Sequence, residues 1–574
     1  MKNFLKMVLA VICGILLLTA LTFAVFAGLA GSGTPAVPAE GVLKLDMSKV
    51  VVDEQAGPGD PLSMLQGGGM NVTTLGLWEA VQAIKIAAED PGIKYIYLKT
   101  DGNASGSART GELRKALQDF RETSGKAVIA YIESPSTGSY YLASVADKVY
   151  MTEHPGATTT ITGVGTQMMF LGDLLKKFGV NAQLIKHGKY KSAGEMYTRA
   201  TSTPENREQY QRMVDSMWET IAAEIAQSRG ISVESLNAAI DELKLCVPQD
   251  FKDCGLVDEL YDRDALKAQL AKLAVVDDFK DVKMIPFADY TAAKVLPGKS
   301  RDKIAVIYAN GNIIDGEEEQ NVAGDRFASL IDKVRDDKNV KAVVLRVNSP
   351  GGSVLASDKI KAALDKLGEE KPLVASYGEY AASGGYWISN NCDKIFSDAL
   401  TLTGSIGVFG LIPDLGKTAS DVLHVGVESV TSNKHGDMYG MFRALDKSEY
   451  DYMLRSIEDI YDRFTTIVSE GRDIPKERVD EIGQGRVWTG NDALEIGLVD
   501  EIGTLQDAVA YAASLAGLDD PASWNVTAVP APQTMMEMMM ASMKGPKEDY
   551  AVRLQKYLSK PRIEARLPIE IRFL

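Results

Sequence analysis

Histidine is almost missing from this chain, with 4 in 574 residues, and cysteine is equally scarce at 4. Zinc sites draw on clusters of those two residue types. No Cys-x-x-Cys or Cys/His cluster occurs, so a zinc site finds no support. Nor do four cysteines make a disulfide framework. Cys13 falls in an apolar run, and Cys392 stands alone. Cys246 and Cys254 either close a short loop or stay as small thiols. Scarce histidine also limits a Ser-His-Asp triad. His424 falls in a segment that reads as hydrophobic and helical, while His187 and His435 sit in matching loops with no obvious acidic residue to orient them. Basic clusters are lacking too. The formal net charge of -16 argues against a nucleic-acid partner, which needs concentrated positive charge.

Hydrophobic residues make up 45% and charged residues 24%, values ordinary for a globular chain but spread over too many residues for one core. Residues 7–31 are the exception, carrying no charge after Lys2 and Lys6. A membrane span needs about 20 apolar residues, and a cleavable signal has an apolar region of about 7–15, so residues 1–31 are expected to be a cytoplasmic N-terminus and a transmembrane anchor. The two lysines then stay on the cytoplasmic side, and the rest of the chain is exported.

Landmarks recur at a spacing of roughly 240–250 residues, which means tandem domains and not a solenoid. Lys94-Tyr95-Ile96-Tyr97-Leu98 answers Lys341-Ala342-Val343-Val344-Leu345. Asp147-Lys148-Val149 answers Asp393-Lys394-Ile395, and Gly255-Leu256-Val257-Asp258 answers Gly497-Leu498-Val499-Asp500. In the second copy, residues 304–307, 342–347 and 373–376 read as buried strands, with amphipathic helices at 327–334 and 357–367. That alternation predicts an α/β fold with mostly parallel sheets. The expected divisions are 41–291, a linker at 292–301 around Pro297-Gly298, 302–529, and a tail at 530–574. Six methionines between 535 and 543 mark that tail; they suit a docked helix or a contact with an apolar peptide.

The chemistry concentrates in four stretches. Gly378-Glu379-Tyr380-Ala381-Ala382-Ser383-Gly384-Gly385 places Ser383 where a strand should give way to a helix, so backbone N–H groups can stabilise negative charge beside it. On its own this stretch fits an N-terminal cap equally well. Asn348-Ser349-Pro350-Gly351-Gly352 follows a buried strand and can turn amides into a second arm of an oxyanion hole. Thr403-Gly404-Ser405-Ile406-Gly407 sets another hydroxyl on a glycine-bracketed turn, and Gly188-Lys189-Tyr190-Lys191-Ser192 lies in the first copy. A lysine replaces the imidazole of a triad if burial lowers its pKa toward neutrality.

Together these stretches resemble the tandem-domain form of the signal peptide peptidase A (protease IV) family, over nearly the whole chain after the anchor. The resemblance implies two tandem domains related to Clp protease and crotonase. It implies Ser383 as nucleophile, Lys191 as general base and Ser405 as the hydroxyl that orients the lysine. The amides of Gly351, Gly352 and Gly384 would form the oxyanion hole. It further implies a homotetramer tethered to a bacterial inner membrane, with its catalytic domains on the periplasmic side. The substrates would be remnant signal peptides and other apolar peptides, cleaved through an acyl-enzyme without cofactor or metal.

Aligning the copies gives the split its logic. Thr137 falls opposite Ser383, and Met438 opposite Lys191, so each copy keeps what the other lacks. Thr137 has a hydroxyl, but Ser134-Pro135-Ser136 lacks the paired glycines. Two rival readings remain at this stage: an acyl-CoA enzyme of crotonase type, and a non-catalytic membrane scaffold.

Overall fold

The computed structural model describes residues 35–57, 72–319, 321–532 and 563–566, together with residue 14. The expected anchor and the methionine stretch lie outside the described residues. Among the described residues no helix is long and apolar enough to cross a membrane.

Each copy is built on a sheet in which strands appear in the same spatial order. In the first, the order is Glu259–Tyr261, Lys148–Thr152, Val128–Ile132, Ile93–Lys99, Gly41–Asp46 and Met284–Pro286, all parallel. The second repeats it with Glu501–Ile502, Lys394–Ser397, Leu373–Ala382, Val340–Ser349, Lys303–Asn310 and Asn525–Val529. Strands such as Ile304-Ala305-Val306-Ile307 are buried throughout because helices cover both faces, as parallel sheets require. Gly324–Asp336 and Val354–Gly368 pack on one face through Phe327, Ile331, Ile360 and Leu364. Leu505–Leu515 covers the other through Val509 and Ala512.

The second copy departs from the first beyond the strand Leu373–Ala382. That strand runs on to pair with Leu402–Gly404, which pairs antiparallel with Val487–Thr489. A further sheet mixes the copies: Asn181–His187 of the first pairs antiparallel along its whole length with Val408–Asp414 of the second. One apolar cluster also spans both, joining Leu113 and Met217 to Ala382, Leu402 and Val487. The copies therefore share a core.

A buried ion-pair network ties them further. Arg346, fully buried on strand Val340–Ser349, holds Glu54 and Glu112 of the first copy at 2.7 Å each. Burial acts to raise the Glu54 carboxyl, but Arg346 and Arg109 overcome it and hold it below its ordinary range. For Glu112 burial prevails, and its carboxyl is raised. Glu379, from the stretch before Ser383, accepts hydrogen bonds from the Ser107 hydroxyl and the Arg109 amide.

Several expectations need adjusting. The expected linker begins inside a helix, Phe287–Lys294, and Ser300 then hydrogen-bonds to the Ser523 carbonyl, so this segment lies against the second copy. Of the two readings for Cys246 and Cys254 the thiols hold, the first exposed and the second half-buried. His424 is not helical: it is exposed, at a positive φ of 53°. His435 does have an acidic partner, Glu449, 2.9 Å from its Nδ1, contributed by a helix too far along the chain for a local reading to connect.

Candidate active site

The strand Leu373–Ala382 ends at Ser383, and the helix Gly384–Trp387 begins directly after it. The abrupt change forces Ser383 to φ 56°, ψ -111°, a conformation that costs a non-glycine residue energy and persists only where the surroundings impose it. The Ser383 amide donates to the Gly404 carbonyl at 2.8 Å, fixing the turn from the neighbouring strand. Its side chain makes no capping bond, so the cap reading of this serine fails. The hydroxyl instead meets Lys191.

Lys191 arrives from the other copy. After strand Asn181–His187, Gly188 takes φ 97° and turns the chain across Gln484, where a Cβ would lie 2.4 Å from the Gln484 carbonyl oxygen. Lys191 Nζ then lies 2.9 Å from Ser383 Oγ, 2.9 Å from Ser405 Oγ and 3.1 Å from the Ser405 carbonyl oxygen. All three residues are fully buried. Burial pulls the Lys191 ammonium down from its ordinary 10.5 to about 7, with the Glu564 carboxylate working partly against that. A lysine shifted in this direction is in part neutral near physiological pH and can take up a proton.

The three glycines expected at the oxyanion hole come together. A Cβ on Gly384 would lie 3.1 Å from Gly351 Cα and 3.2 Å from the Gly352 nitrogen, so no larger residue fits without a shift. Gly351 and Gly352 take φ values of 93° and 156°. As the first residue of its helix, Gly384 has no intrahelical acceptor for its N–H. The Gly351 amide already has an acceptor, Ser349 Oγ at 3.2 Å.

Thr137 is excluded from comparable chemistry. It is buried at the start of helix Thr137–Ala143, donates to the Gly163 carbonyl and accepts from the Thr162 amide.

Two parts of the site were not foreseen. The segment Gln484–Arg486 closes over the lysine: Gly485 takes φ 79°, and a Cβ there would sit 2.5 Å from Lys191 Cβ. It is held by Gly485 N–H to the Ile406 carbonyl at 2.7 Å and Ser405 N–H to the Arg486 carbonyl at 2.7 Å. The glycine pattern Gly483-Gln484-Gly485 is the mark this turn leaves in the sequence. The second is the tail strand Ile563–Arg566, which lies between two edges of the mixed sheet. It pairs antiparallel with Gly351–Ser353 on one side and with Phe409 and Gly410 on the other, placing Ala565 opposite Gly352.

A family model described as Peptidase family S49 matches residues 121–277 and 365–519, one span in each copy. The chain belongs to peptidase family S49. It is similar to "Protease 4" of Salmonella typhi, 37% identical over 88% of this chain and 83% of that protein. "Protease 4" of Haemophilus influenzae is 36% identical over 84% and 80%, and "Serine protease SPPA, chloroplastic" of Arabidopsis thaliana is 31% identical over 77% and 66%. Among solved structures, ClpP1 from Listeria monocytogenes aligns with 36% of this chain and 94% of its own, at 15% identity and a TM-score of only 0.23. An S49 peptidase with these relatives is a serine peptidase, which leaves the acyl-CoA and scaffold readings unsupported.

Proposed function

We propose that the peptidase works with a Ser383–Lys191 dyad and cleaves extended apolar peptides, remnant signal peptides among them, through an acyl-enzyme. The observation that carries this reading is the 2.9 Å separation of Lys191 Nζ and Ser383 Oγ in a site that excludes solvent from both. A neutral amine has two N–H groups and one lone pair. With the N–H groups engaged by the Ser405 carbonyl and hydroxyl oxygens, the lone pair faces the Ser383 O–H. Lys191 takes that proton as Ser383 attacks the scissile carbonyl. The oxyanion forms beside the amides of Gly352 and Gly384, with Gly351 shaping the turn. Protonated Lys191 then gives its proton to the leaving amine, and water releases the acyl group with Lys191 again as base.

The mode of substrate binding follows from the tail strand. A peptide entering between Gly351–Ser353 and Val408–Gly410 gains main-chain hydrogen bonds on both edges, as in strand addition to a sheet. The tail strand Ile563-Glu564-Ala565-Arg566 lies in this place in the extended form that such a peptide would take.

Anchoring by residues 7–31, placement on the periplasmic face of a bacterial inner membrane and assembly as a homotetramer belong to the same proposal. The uncharged run supports the first two. An exposed apolar stretch with Leu423, Val425, Val427 and Val430 supports self-association, since such patches mark contact surfaces. The test is hydrolysis of a signal-peptide substrate by wild type, Ser383→Ala and Lys191→Ala. Loss of turnover in both variants is expected, and retained turnover in Ser383→Ala would place the nucleophile elsewhere.

A further inference from the structure

The helix Pro204–Arg229 of the first copy carries Gln209, Arg212, Ser216 and Thr220 at spacings that put them on one face. Each of the four reaches the second copy. Arg212 holds Asp492 at 2.6 Å, the Ser216 hydroxyl meets Thr489 Oγ1 at 2.6 Å, and Thr220 Oγ1 accepts from Asn491 Nδ2 at 2.8 Å. Gln209, at the head of this stripe, is 1% exposed. Its Nε2 lies 3.0 Å from the Tyr190 carbonyl oxygen and 3.1 Å from Ser192 Oγ, the two residues that flank Lys191. Its Oε1 accepts from the Val487 amide at 3.3 Å. Val487 pairs directly with Gly404, the residue before Ser405.

We propose that Gln209 is a positioning residue for the reaction: its one amide group joins the turn bearing Lys191 to strand Val487–Thr489, which pairs with the strand leading into Ser405, and so seats the base of one copy on the nucleophile of the other. The inference rests on the dyad reading given above. A side chain offering a donor at one end and an acceptor at the other, 3 Å or so from each, suits this task better than any charged residue, which could serve only one of the two. Misplacing a catalytic group by about 1 Å costs on the order of 10²-fold in rate. The link also keeps water from the lysine, because the turn cannot lift away while both ends of the amide are engaged.

The experiment is the rate of Ser383 labelling by a fluorophosphonate, followed by intact mass from pH 6 to 10 on the full chain. Rate constants are taken per labelled site, so a partly folded preparation still reports. Gln209→Met keeps the side-chain length and loses every hydrogen bond of the amide, to Tyr190, Ser192, Asn206 and Val487. Labelling about 10–100-fold slower is expected, with the pH midpoint moved upward as water reaches Lys191. Gln209→Glu keeps an acceptor for Val487 but opposes the Tyr190 carbonyl, and its added negative charge should move the midpoint further up. The charged groups already around this turn are Lys189 over the Tyr190 ring, Glu564 on the tail strand, Glu195 and Lys186 near Asn206, and Glu208 and Arg486 beside Tyr190; all are kept. Thr220→Val cuts a hydrogen bond between the same two copies away from the lysine, and should label within twofold of wild type. Wild-type rates and midpoints in both Gln209 variants, or equal slowing in Thr220→Val, would overturn the assignment. Failure of wild type to label at Ser383 would instead remove the dyad reading beneath it.

Discussion

Lys191 Nζ lies 2.9 Å from Ser383 Oγ although the two residues stand 192 positions apart in the chain and belong to different copies of one domain. On the proposed dyad, neither copy holds a complete site. The sheet shared by Asn181–His187 and Val408–Asp414 brings the halves together, and the turn at Gly188 aims the lysine. For the proposed dyad, burial of this lysine has two effects, moving its pKa toward neutrality and making the site dependent on tight closure around it.

The first consequence concerns pH. Labelling of Ser383 should rise with pH through a midpoint near the lysine's value of about 7, since only the neutral amine accepts a proton. Glu564 favours the charged form, so Glu564→Gln should move the midpoint down. The same shift governs stability. Between about 7 and 10.5 the unfolded chain binds a proton at this lysine that the folded chain does not, so stability rises with pH across that window. Lys191→Met should therefore stabilise most below pH 7 and have little effect above 10.5, as urea unfolding at several pH values would report.

The tail strand should compete with substrate. Deleting residues 563–574 opens the edges of Gly351–Ser353 and Phe409–Gly410, so steady-state kinetics on a peptide should show a lower KM. An unchanged or higher KM would mean that substrate does not take this place.

Gly485 tests the closure over the lysine. Gly485→Ala puts a methyl group 2.5 Å from Lys191 Cβ at a φ of 79° that disfavours any side chain. A loss of about 10²-fold in kcat/KM is expected in protein that still folds. Activity within twofold of wild type would show that the lysine tolerates displacement.

Arg346 tests the joint between the copies. Arg346→Met leaves Glu112 buried without its cation and Glu54 with Arg109 alone, which should cost about 3–5 kcal/mol in urea unfolding. A cost under about 1 kcal/mol would mean that water or a proton replaces the arginine freely.

Much of this was legible in the sequence. Matching Asp147-Lys148 to Asp393-Lys394 locates equivalent strands, and the lack of a suitably placed histidine leaves Lys191 as the candidate base. Gly351, Gly352, Gly384 and Ser405 could be read from local glycine patterns because tight turns and close approaches leave local marks. What escaped notice is non-local. Gln209, Arg212 and Ser216 look like the solvent face of an amphipathic helix until a second domain is laid on them. Arg346 interrupts an apolar strand with no nearby carboxylate in sequence, because Glu54 and Glu112 come from the other copy. Glu564 lies at the far end of the tail, about 180 residues beyond Ser383, with no local pattern that ties it to Lys191.

The central claim is that a lysine from one copy activates a serine in the other. Intact-mass detection of a fluorophosphonate adduct on wild type, Ser383→Ala and Lys191→Ala tests it most directly. The account predicts one adduct per wild-type chain, none on Ser383→Ala, and labelling slowed at least about 10²-fold in Lys191→Ala. Labelling of Lys191→Ala at the wild-type rate would contradict it.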